Sequence, residues 1–424
     1  MAVEEEDGER PPAREGGGRR SFLRRHWLAL TAGVLAAVLL VGGTLAWLAY
    51  RKLNGNIRTD TVTGPLLEHE SDRPTPAGSA ENILLIGSDD RSGDNSAYGS
   101  TGGQRSDTVI LLHLSADGHR ATAVSIPRDV MVTMPPCDLP DGSRSRGGLL
   151  QFNLAFEIGG PACTIRTVEQ LSGIRIDHHL ILDFSGFKRM VDAVGGVEVC
   201  VATAIHDQDA KLDLAAGRQV LQGEQALGYV RARESLGNGS DTDRMGRQQQ
   251  FLAALIRKVQ SQGVLLNPTK LWPLLDAATS SITADPGLSR LGALYDLAQR
   301  LRAMPSSAIV FLTTPRRPYR YNANRDEFVQ PQTDQLFAAL RADQEVAVRP
   351  SASPDAGPTG PTAPPEDATA PAAGPTPTPG TSGSRSAGPD ASPSPSAGAS
   401  TGASTGPTGP LQGRTADQDD CAAG

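Results

Sequence analysis

An uncharged segment near the start of the chain, from Trp27 to Tyr50, constrains the fold more than any other feature of the sequence. It reads WLALTAGVLAAVLLVGGTLAWLAY and contains no Asp, Glu, Lys or Arg. As a helix it would be about 36 Å long, enough to cross the hydrocarbon core of a bilayer. A cleaved signal peptide is the alternative, but the segment is long for one, and Ala46 and Ala49 lack the A-x-A spacing of a cleavage site. The sequence therefore predicts one transmembrane helix over residues 27–50.

The charges beside this helix indicate its orientation. Basic residues lie on both sides of it: Arg19, Arg20, Arg24 and Arg25 come before it, and Arg51, Lys52 and Arg58 come after it. The positive-inside rule places the more basic end in the cytoplasm. We therefore expect a single-pass protein of the cell membrane, with a short cytoplasmic N-terminus over residues 1–26 and an extracytoplasmic catalytic domain.

The opposite end of the chain has a composition that opposes folding. Residues 344–424 consist mainly of Ala, Pro, Gly, Ser and Thr, with almost no large apolar side chains. Such a segment cannot bury enough surface to offset its chain entropy, so it is predicted to be disordered. From Glu345 onward the chain carries eight acidic and three basic side chains, which account for most of the net charge of −7. The rest of the chain is close to neutral, so no electrostatic argument supports nucleic-acid binding.

The residues between these ends show the pattern of one folded domain. Turn residues are frequent in residues 51–80, which we interpret as an extracytoplasmic linker, and residues 81–343 form the domain. Short apolar runs alternate there with segments of helical periodicity. The predicted strands are Asn82–Gly87, Thr108–Leu114, Ala121–Ile126, His178–Phe184, Val197–Val201 and Ala308–Thr313. The sequence therefore predicts an α/β fold, a three-layer α/β/α domain with a central mixed β-sheet.

The domain also contains a candidate disulfide bond. Cys137 and Cys163 bracket a loop that carries turn residues, and an exported domain meets oxidising conditions, so we predict that they pair. Four cysteines allow three pairings. Cys200 is left as either a buried free thiol or a competing partner, and Cys421 falls in the predicted disordered tail.

Acidic side chains follow the first predicted strand and precede the second. Asp89, Asp90 and Arg91 come directly after the first strand, and Asp107 comes just before the second. Ligand sites of open α/β sheets lie at such strand ends, and two carboxylates with a few waters suit Mg²⁺ beside a phosphate. Alternatively, these acids cap loops.

Arginines form the second set of candidate site residues. Arg128 and Asp129 follow the third strand, and a further group leads into a predicted helix: Arg231, Arg233, Arg244, Arg247 and Gln248. The planar guanidinium group contacts two phosphate oxygens at once and stays charged at any relevant pH. The alternative is a solvated helix face with ion pairs to Glu224 or Glu234.

Other catalytic motifs are missing from the predicted domain. That domain, residues 81–343, has no GxSxG elbow, no GxxxxGK[ST] loop and no HExxH helix. We interpret His206 with its neighbouring acids as a polar loop, and we assign no role to His178 and His179.

The order of the motifs resembles that of the LytR-CpsA-Psr family over residues 81–342. The motifs are NILLIGSDDR, RSDTVILLHL, AVSIPRDV, NLAFEIGGPAC, LDFSGFKRMVDAVGGVEVCV, LQGEQALGYVRARE and DTDRMGRQQQFL. Each alone is weak, but all of them in the family's order and approximate spacing make a specific match.

The resemblance implies a phosphotransferase with a divalent metal ion. Asp89 and Asp107 would hold Mg²⁺ or Mn²⁺, and the pyrophosphate of a polyprenyl carrier lipid would be bound by Arg91, Arg128, Arg231, Arg233, Arg244 and Gln248. Arg128, Asp129 and Asp90 would be the catalytic residues, with Asp129 or Asp90 accepting the proton of the attacking hydroxyl. The apolar faces of the helices would line a channel for the polyprenyl chain, although periodicity alone indicates ordinary core packing.

The implied reaction moves a glycopolymer, of teichoic acid, capsule or arabinogalactan type, from the carrier lipid to a peptidoglycan sugar hydroxyl. The implied partners are this lipid-linked glycopolymer, peptidoglycan and membrane lipid, with no nucleic acid. A lipid pyrophosphate hydrolase is one alternative, because only the nucleophile differs. A non-enzymatic membrane regulator of the cell envelope is the other, although residues 1–26 are too short for a helix-turn-helix.

One position departs from the family's pattern. Family members often carry Lys two residues before the Asn of the NxAxxxGG motif, but here Gln151 stands ahead of Asn153. We therefore expect Arg144 or Arg146 to supply the positive charge.

Overall fold

The computed structural model describes residues 18–67, 73–76, 78–89, 106–232, 241–261, 268–350, 411–418 and 421. Its helices are α1 (Gly18–Asn56), α2 (Thr63–Leu66), α3 (Leu154–Ser172), α4 (Phe184–Ala193), α5 (Gly223–Arg231), α6 (Asp241–Ser261), α7 (Pro268–Ser281), α8 (Leu291–Ala303) and α9 (Gln332–Arg341). Its first strands are β1 (Arg58–Thr59), β2 (Glu81–Ser88), β3 (Ser106–Leu114), β4 (Ala121–Ile126), β5 (Met131–Met134), β6 (Gly148–Gln151), β7 (His178–Asp183) and β8 (Val197–Val201). The remaining strands are β9 (Ile205–Asp207), β10 (Leu212–Leu214), β11 (Gly217–Leu221), β12 (Ile282–Ala284), β13 (Ile309–Thr313), β14 (Arg316–Tyr319), β15 (Asn322–Phe328), β16 (Val348–Pro350) and β17 (Leu411–Thr415).

A mixed sheet forms the centre of the molecule, with the strand order β1-β12-β7-β2-β3-β4-β13-β17-β16. Strand β2 is parallel to β7 and antiparallel to β3, while β4 is parallel to β13. Successive side chains of a strand point to opposite faces, so the buried neighbours Ile83 and Leu84 join two different cores. Helices α3 and α9 cover the face of Leu84, and α6 and α8 cover the face of Ile83. The predicted three-layer α/β/α fold is confirmed.

A smaller lobe packs beside one end of this sheet. It is built from α4, the antiparallel pairs β8–β11 and β9–β10, α5 and part of α6. Its own apolar core contains Val199, Leu212, Tyr229 and Phe251, each at most 4% exposed. Because α6 contributes to this core and to that of the sheet, the lobe is held against the sheet, and a cleft lies between them.

Helix α1 extends on both sides of the predicted span. Residues Ala29–Asn56 are long and apolar enough to cross a membrane, with a mean hydropathy of 2.1 and none of the most apolar stretch buried inside the protein. At its end, Leu53 is buried, and Asn56 donates a hydrogen bond from Nδ2 to Oδ1 of Asp276 at 3.0 Å. The sequence predicts a linker over residues 51–80, but residues 51–56 continue the helix, and β1 pairs with β12 directly after it.

The C-terminal region also differs from its sequence-based expectation. Residues 344–424 are predicted to be disordered, yet β16 and β17 extend the central sheet, and β17 pairs with β13. Strand β17 lies very close to its neighbour, since a Cβ on Gly413 would be only 2.5 Å from the backbone oxygen of Phe311. Arg257 donates from Nη1 to the backbone oxygens of Ala416 at 2.7 Å and Gln418 at 2.8 Å. Backbone pairing at a sheet edge therefore gives order to a segment whose composition opposes it.

Two disulfide bonds join the described cysteines. The predicted pair of Cys137 and Cys163 is confirmed, with their Cα atoms 5.3 Å apart. Gly159 makes room for this bond within the NLAFEIGGPAC motif, because a Cβ there would lie 2.8 Å from that of Cys163. Cys200 is neither a free thiol nor a competitor for the first pair. It bonds to Cys421 and thereby joins β8 of the smaller lobe to the C-terminal segment.

Candidate active site

A cavity of about 1300 Å³ lies between the ends of the central strands and the smaller lobe. It opens where β2 and β7 end, as expected for a ligand site of an open α/β sheet. Of the predicted site residues that the structure describes, all but Arg247 line it: Asp89, Asp107, Arg128, Asp129, Arg231, Arg244 and Gln248. Arg247 is fully buried instead, and its Nη2 donates to the backbone oxygen of Ala232. Asp90, Arg91 and Arg233 lie outside the described residues, and their roles stay predictions. Charged residues more than 150 positions apart in the sequence thus share one site.

The pairing of β2 with β3 brings the first acidic residues together. Gly87 pairs with Thr108, and the register shifts between Gly87 and Ser88. Asp89, just after β2, and Asp107, at the start of β3, therefore lie at the same end of two neighbouring strands. A Cβ on Gly87 would lie 3.2 Å from the Cβ of Thr108, so the glycine permits this close approach. Two carboxylates are thereby presented to the cavity from adjacent strand ends.

Arg128 bridges two carboxylates at the polar end of the cavity. It donates from Nη1 to Oδ1 of Asp107 at 2.5 Å and from Nε to Oδ2 of Asp129 at 3.2 Å. The side chains of Arg128, Asp107 and Asp129 are 20%, 26% and 18% exposed, so these contacts are shielded from bulk water on most sides. A partly buried guanidinium fixed in this way is pre-oriented for an anionic group.

Asp129 receives two further contacts. The side-chain amide of Gln151 donates to Oδ1 of Asp129, and Nη1 of Arg325 lies 3.9 Å from the same oxygen. Arg325 lines the cavity. Arg144 does not, because it is paired with Asp138 at 3.4 Å. Among the described cavity-lining residues the extra cation is Arg325, whereas neither Arg144 nor Arg146, which the sequence suggested for this charge, lines the cavity.

The second wall of the polar end comes from α5 and α6. The guanidinium of Arg231 stacks on the ring of Phe184, with Cζ 4.7 Å from the ring centroid. Gln248 donates from Nε2 to the backbone oxygen of Val230 at 3.2 Å, which ties α6 to α5. Arg244 is only 4% exposed. These residues line a cavity rather than a solvated helix face, and Glu224 pairs with Lys188 at 3.0 Å.

Asn153 is a polar cavity-lining residue that sequence reasoning left without a role. It is 5% exposed, and its Oδ1 has no hydrogen-bond partner among the described residues. A buried amide oxygen without a partner costs free energy unless a ligand or water supplies a donor. The orphaned oxygen therefore identifies Asn153 as a possible acceptor for a substrate hydroxyl or amide.

Much of the remaining cavity wall is apolar, although Asp183, Asp207 and Asp209 also line it. The apolar part is formed by side chains of β2, β3, β7, α4, α6 and β12: Leu85, Ile110, Leu180, Leu182, Phe187, Phe251, Leu252 and Ile282. Helical periodicity alone indicated core packing for α4 and α6. In the structure their faces enclose open space, which suits a long apolar ligand joined to an anionic head.

The site's oxygen ligands suit a hard divalent cation. Asp89 and Asp107 are the acidic side chains at the ends of β2 and β3, and Mg²⁺ commonly takes one or two carboxylates together with waters and substrate phosphate. No group of three or more His, Cys, Asp or Glu side chains in the described part of the chain has the arrangement of a metal cage. Two carboxylates would suit an ion whose remaining ligands are waters and phosphate oxygens.

Comparison with known proteins identifies the family of this chain. The model of the LytR_cpsA_psr family matches residues 51–342. The chain belongs to the LytR_cpsA_psr family. The resemblance inferred from the order of the motifs is thereby confirmed.

Curated LytR_cpsA_psr relatives have names related to the cell wall. The probable cell wall biosynthesis protein LcpB of Corynebacterium glutamicum is 39% identical over 291 residues, which cover 65% of this chain and 64% of LcpB. The polyisoprenyl-teichoic acid–peptidoglycan teichoic acid transferase TagU of Oceanobacillus iheyensis is 30% identical over 278 residues, which cover 64% of this chain and 81% of TagU. The match covers less than two thirds of the length of LcpB. It covers 59% of the length of the cell wall biosynthesis protein LcpA of Corynebacterium glutamicum.

A solved structure shares the fold. The LytR-Csp2A-Psr enzyme from Actinomyces oris superimposes with a TM-score of 0.50 at 24% identity, covering 67% of this chain and 95% of that one. At this level of identity the likeness concerns the fold of the LytR_cpsA_psr domain alone.

Proposed function

We propose that the chain is a phosphotransferase that moves a cell-wall glycopolymer from a polyprenyl pyrophosphate carrier to a sugar hydroxyl of peptidoglycan. The observation that supports this most is the composition of one cavity, in which an arginine-rich polar end continues into a long apolar section. A lipid pyrophosphate has the same two parts. The names of the relatives LcpB and TagU, which refer to cell wall biosynthesis and teichoic acid transfer, support the same reaction class.

The arginines would neutralise the pyrophosphate and hold it in line with the attacking hydroxyl. Phosphoryl transfer asks the protein mainly for alignment and for stabilisation of charge on phosphate oxygens. Arg231 is held flat by Phe184, and Arg128 is held by two carboxylates, so neither has to be ordered when the substrate binds. Arg244 and Gln248 would complete this anion site from α6.

Asp89 and Asp107 would hold Mg²⁺ or Mn²⁺, which when bound supplies positive charge to the phosphate oxygens and to the leaving polyprenyl phosphate. Asp129 faces the same end of the cavity and, with Asp90, remains the proposed acceptor of the hydroxyl proton. Gln151, Arg128 and Arg325 fix the direction of the Asp129 carboxylate. Asn153 would accept a hydrogen bond from the bound sugar with its free Oδ1.

The membrane helix joins the sheet close to the apolar section of the cavity. Gly87, Leu182 and Ile282 form one row across β2, β7 and β12, and Arg58 pairs with Thr283 in the next row. The chain therefore leaves α1 within two residues of this edge. A polyprenyl chain entering from the bilayer would reach the apolar wall directly.

We place residues 1–26 in the cytoplasm and the folded domain outside. The two disulfide bonds support an oxidising exterior. Protease added to intact cells should degrade the chain beyond Arg51 and leave the N-terminal segment protected. Protection of the folded domain instead would contradict this orientation.

Transfer is tested with the full chain in lipid nanodiscs. The protein is mixed with a short glycan on a polyprenyl pyrophosphate, peptidoglycan oligomers and Mg²⁺, and the products are followed by mass spectrometry. We expect the glycan phosphate to become attached to peptidoglycan. Free glycan phosphate alone would identify a hydrolase, and no reaction at all would favour the non-enzymatic regulator.

A further inference from the structure

The β14–β15 hairpin stands beside the polar end of the cavity. The backbone N–H of Asp326 donates to the backbone oxygen of Asp129 at 3.1 Å, and Val130 forms a bridge with Asp326. Arg325, the residue before it, lines the cavity. The turn at Tyr321 is four residues further along the hairpin, or about 13 Å of extended chain. The hairpin thus connects the reaction site to a surface just outside it.

This hairpin lies on the side of the cavity away from its apolar section. Asp129 follows β4, whereas Leu180 and Leu182 belong to β7, and β2 and β3 lie between those strands. At about 4.8 Å per strand, the two sides are roughly 14 Å apart. If the lipid-linked donor occupies the apolar section, the hairpin is left for the second substrate.

The tip of the hairpin exposes aromatic surface. Tyr321 is 72% exposed, more than Tyr295 at 51% or Trp272 at 38%, the other large exposed aromatic residues described outside α1. The Tyr319 ring lies edge-on to the Tyr321 ring, with centroids 5.3 Å apart, and the Arg320 guanidinium is 4.5 Å from the Tyr321 centroid. This arrangement holds the Tyr321 ring in place while leaving much of it open. The apolar C–H face of a pyranose packs well on such a ring.

Arg320 differs from its neighbours in its charge partners. Arg316 pairs with Asp326, and Arg317 pairs with Glu327 at 2.7 Å. The described contact of the Arg320 guanidinium is with the Tyr321 ring, and no acidic side chain among the described residues pairs with it. It can therefore bind a carboxylate of a ligand that is packed on the tyrosines.

We propose that the tip of the β14–β15 hairpin binds the acceptor, a glycan strand of amino sugars whose attached peptides carry carboxylates, as in peptidoglycan. Tyr319 and Tyr321 would pack against a pyranose face, and Arg320 would pair with a carboxylate of a peptide attached to the strand. A neighbouring sugar along the strand would then present its hydroxyl near Arg325 and Asp129. This inference rests on the proposed transferase function for its meaning, and it deepens that function by assigning the acceptor site.

The experiment measures glycan binding separately from transfer. The full chain in nanodiscs is titrated with two soluble probes of equal length, an uncrosslinked peptidoglycan glycan strand and a neutral N-acetylglucosamine oligomer. We expect Tyr321→Ala to weaken binding of both probes about tenfold. Arg320→Gln should weaken binding of the carboxylate-bearing probe by roughly two- to fivefold and leave the neutral probe unaffected. Tyr295→Ala, which removes a similarly exposed tyrosine from α8, is the matched control and should change neither value.

A lipid pyrophosphate titration completes the test. Its Kd should be the same for Tyr321→Ala as for the wild type, because the hairpin tip lies outside the donor section. Wild-type glycan binding by Tyr321→Ala, equal losses in Tyr295→Ala, or no glycan binding by the unaltered chain would each overturn the inference. Glycan binding that depends on Tyr321 without any transfer would overturn the proposed function and leave the glycan site in place.

Discussion

Asp107 lies 2.5 Å from Arg128 inside the cavity, and Asp138 makes the same kind of contact outside it, 3.2 Å from Arg166. The two aspartates are 26% and 28% exposed, so they form a matched pair for asking what the cavity adds. Removing the Asp107 carboxylate should cost about 1 kcal/mol of stability. Removing that of Asp138 should cost more, because its partner Arg166 is only 8% exposed. Only the residue that also orients an anion-binding arginine should affect turnover.

Asp107→Asn should therefore reduce transfer by a factor of about 10² to 10³, the usual effect of removing one group that stabilises transition-state charge. It should also abolish the dependence on Mg²⁺, because a neutral amide is a poor ligand for that ion. Asp138→Asn should keep near-normal transfer. Rates are measured by mass spectrometry and folding by thermal melting. Normal transfer by a folded Asp107→Asn variant at low Mg²⁺ would reject the proposed site.

Arg231→Lys tests the geometry of the anion site at constant charge. An ammonium group cannot stack flat on Phe184 or contact two phosphate oxygens at once. We expect the KM for the lipid-linked donor to rise by about tenfold or more, while the KM for the acceptor stays the same. Arg317→Lys, at an exposed ion pair on the hairpin, is the control and should leave the donor KM unchanged. Equal donor KM values for Arg231→Lys and the wild type would show that the two-point contact of the guanidinium group with phosphate is not used.

The sequence predicted much of this residue-scale arrangement. Asp89, Asp107 and Arg128 follow or precede buried strands, and strand ends of one sheet meet at a common edge, so their convergence could be expected. Arg325 could not be found in the same way, because its hairpin is distant in sequence and reaches the site through one bridge to Val130. The signal that could have found it is the cluster of arginines and tyrosines in RRPYRYNANRDEF.

At the scale of helices and strands, sequence patterns identified the long central strands and missed the short edge strands. Strands β2, β3 and β4 contain runs of buried apolar residues, which local composition reveals. Strands β1, β12 and β16 have two or three residues each, too few for any periodicity. Strand β17 is ordered by backbone pairing with β13, a contact that no local pattern can report.

One side-chain pair between β7 and the segment after β12 makes the stability of the fold depend on pH. His178 at the start of β7 lies with Nδ1 2.9 Å from Oδ2 of Asp285, just after β12, and this hydrogen bond raises the pKa of His178 above its usual value. The folded state therefore holds a proton that the unfolded chain releases near pH 6.5. The resulting stabilisation is complete below that pH and is lost as the pH rises through the raised pKa.

His178→Gln should accordingly cost most stability near pH 6 and progressively less at higher pH. The measurement is the free energy of urea unfolding of the full chain, taken as the difference between wild type and variant at each pH. Asp285→Asn removes the same hydrogen bond from the other side, so its difference curve should fall over the same pH range. A difference that is constant with pH would mean that the pair does not retain the proton.

At the scale of the whole molecule, the chain ties its two ends to opposite sides of the folded domain. Helix α1 leads into β1 at one edge of the sheet, and β17 lies near the other edge. The Cys200–Cys421 bond then connects the C-terminal segment to the smaller lobe, which forms one wall of the cavity. The sequence indicated one domain between a membrane helix and a tail, but these long-range ties depend on tertiary contacts.

The two disulfide bonds should stabilise the molecule independently, because they lie in different parts of the fold and share no cysteine. Cys137 and Cys163 are 26 residues apart, and Cys200 and Cys421 are 221 apart. The loop-entropy relation assigns them about 3.5 and about 5 kcal/mol, the second as an upper value because real bonds in long loops often give less.

Cys200→Ser should lower the free energy of unfolding as much as Cys421→Ser, and the double variant should lose no more than either. Adding Cys137→Ser should then contribute its own loss in full, since distant sites are additive. Reduction of the wild type with dithiothreitol serves as the control and should reproduce the combined loss. Additive losses for Cys200→Ser and Cys421→Ser would show that these two cysteines are not partners, and the C-terminal strand would then be held by its backbone pairing with β13 and β16 and by Arg257.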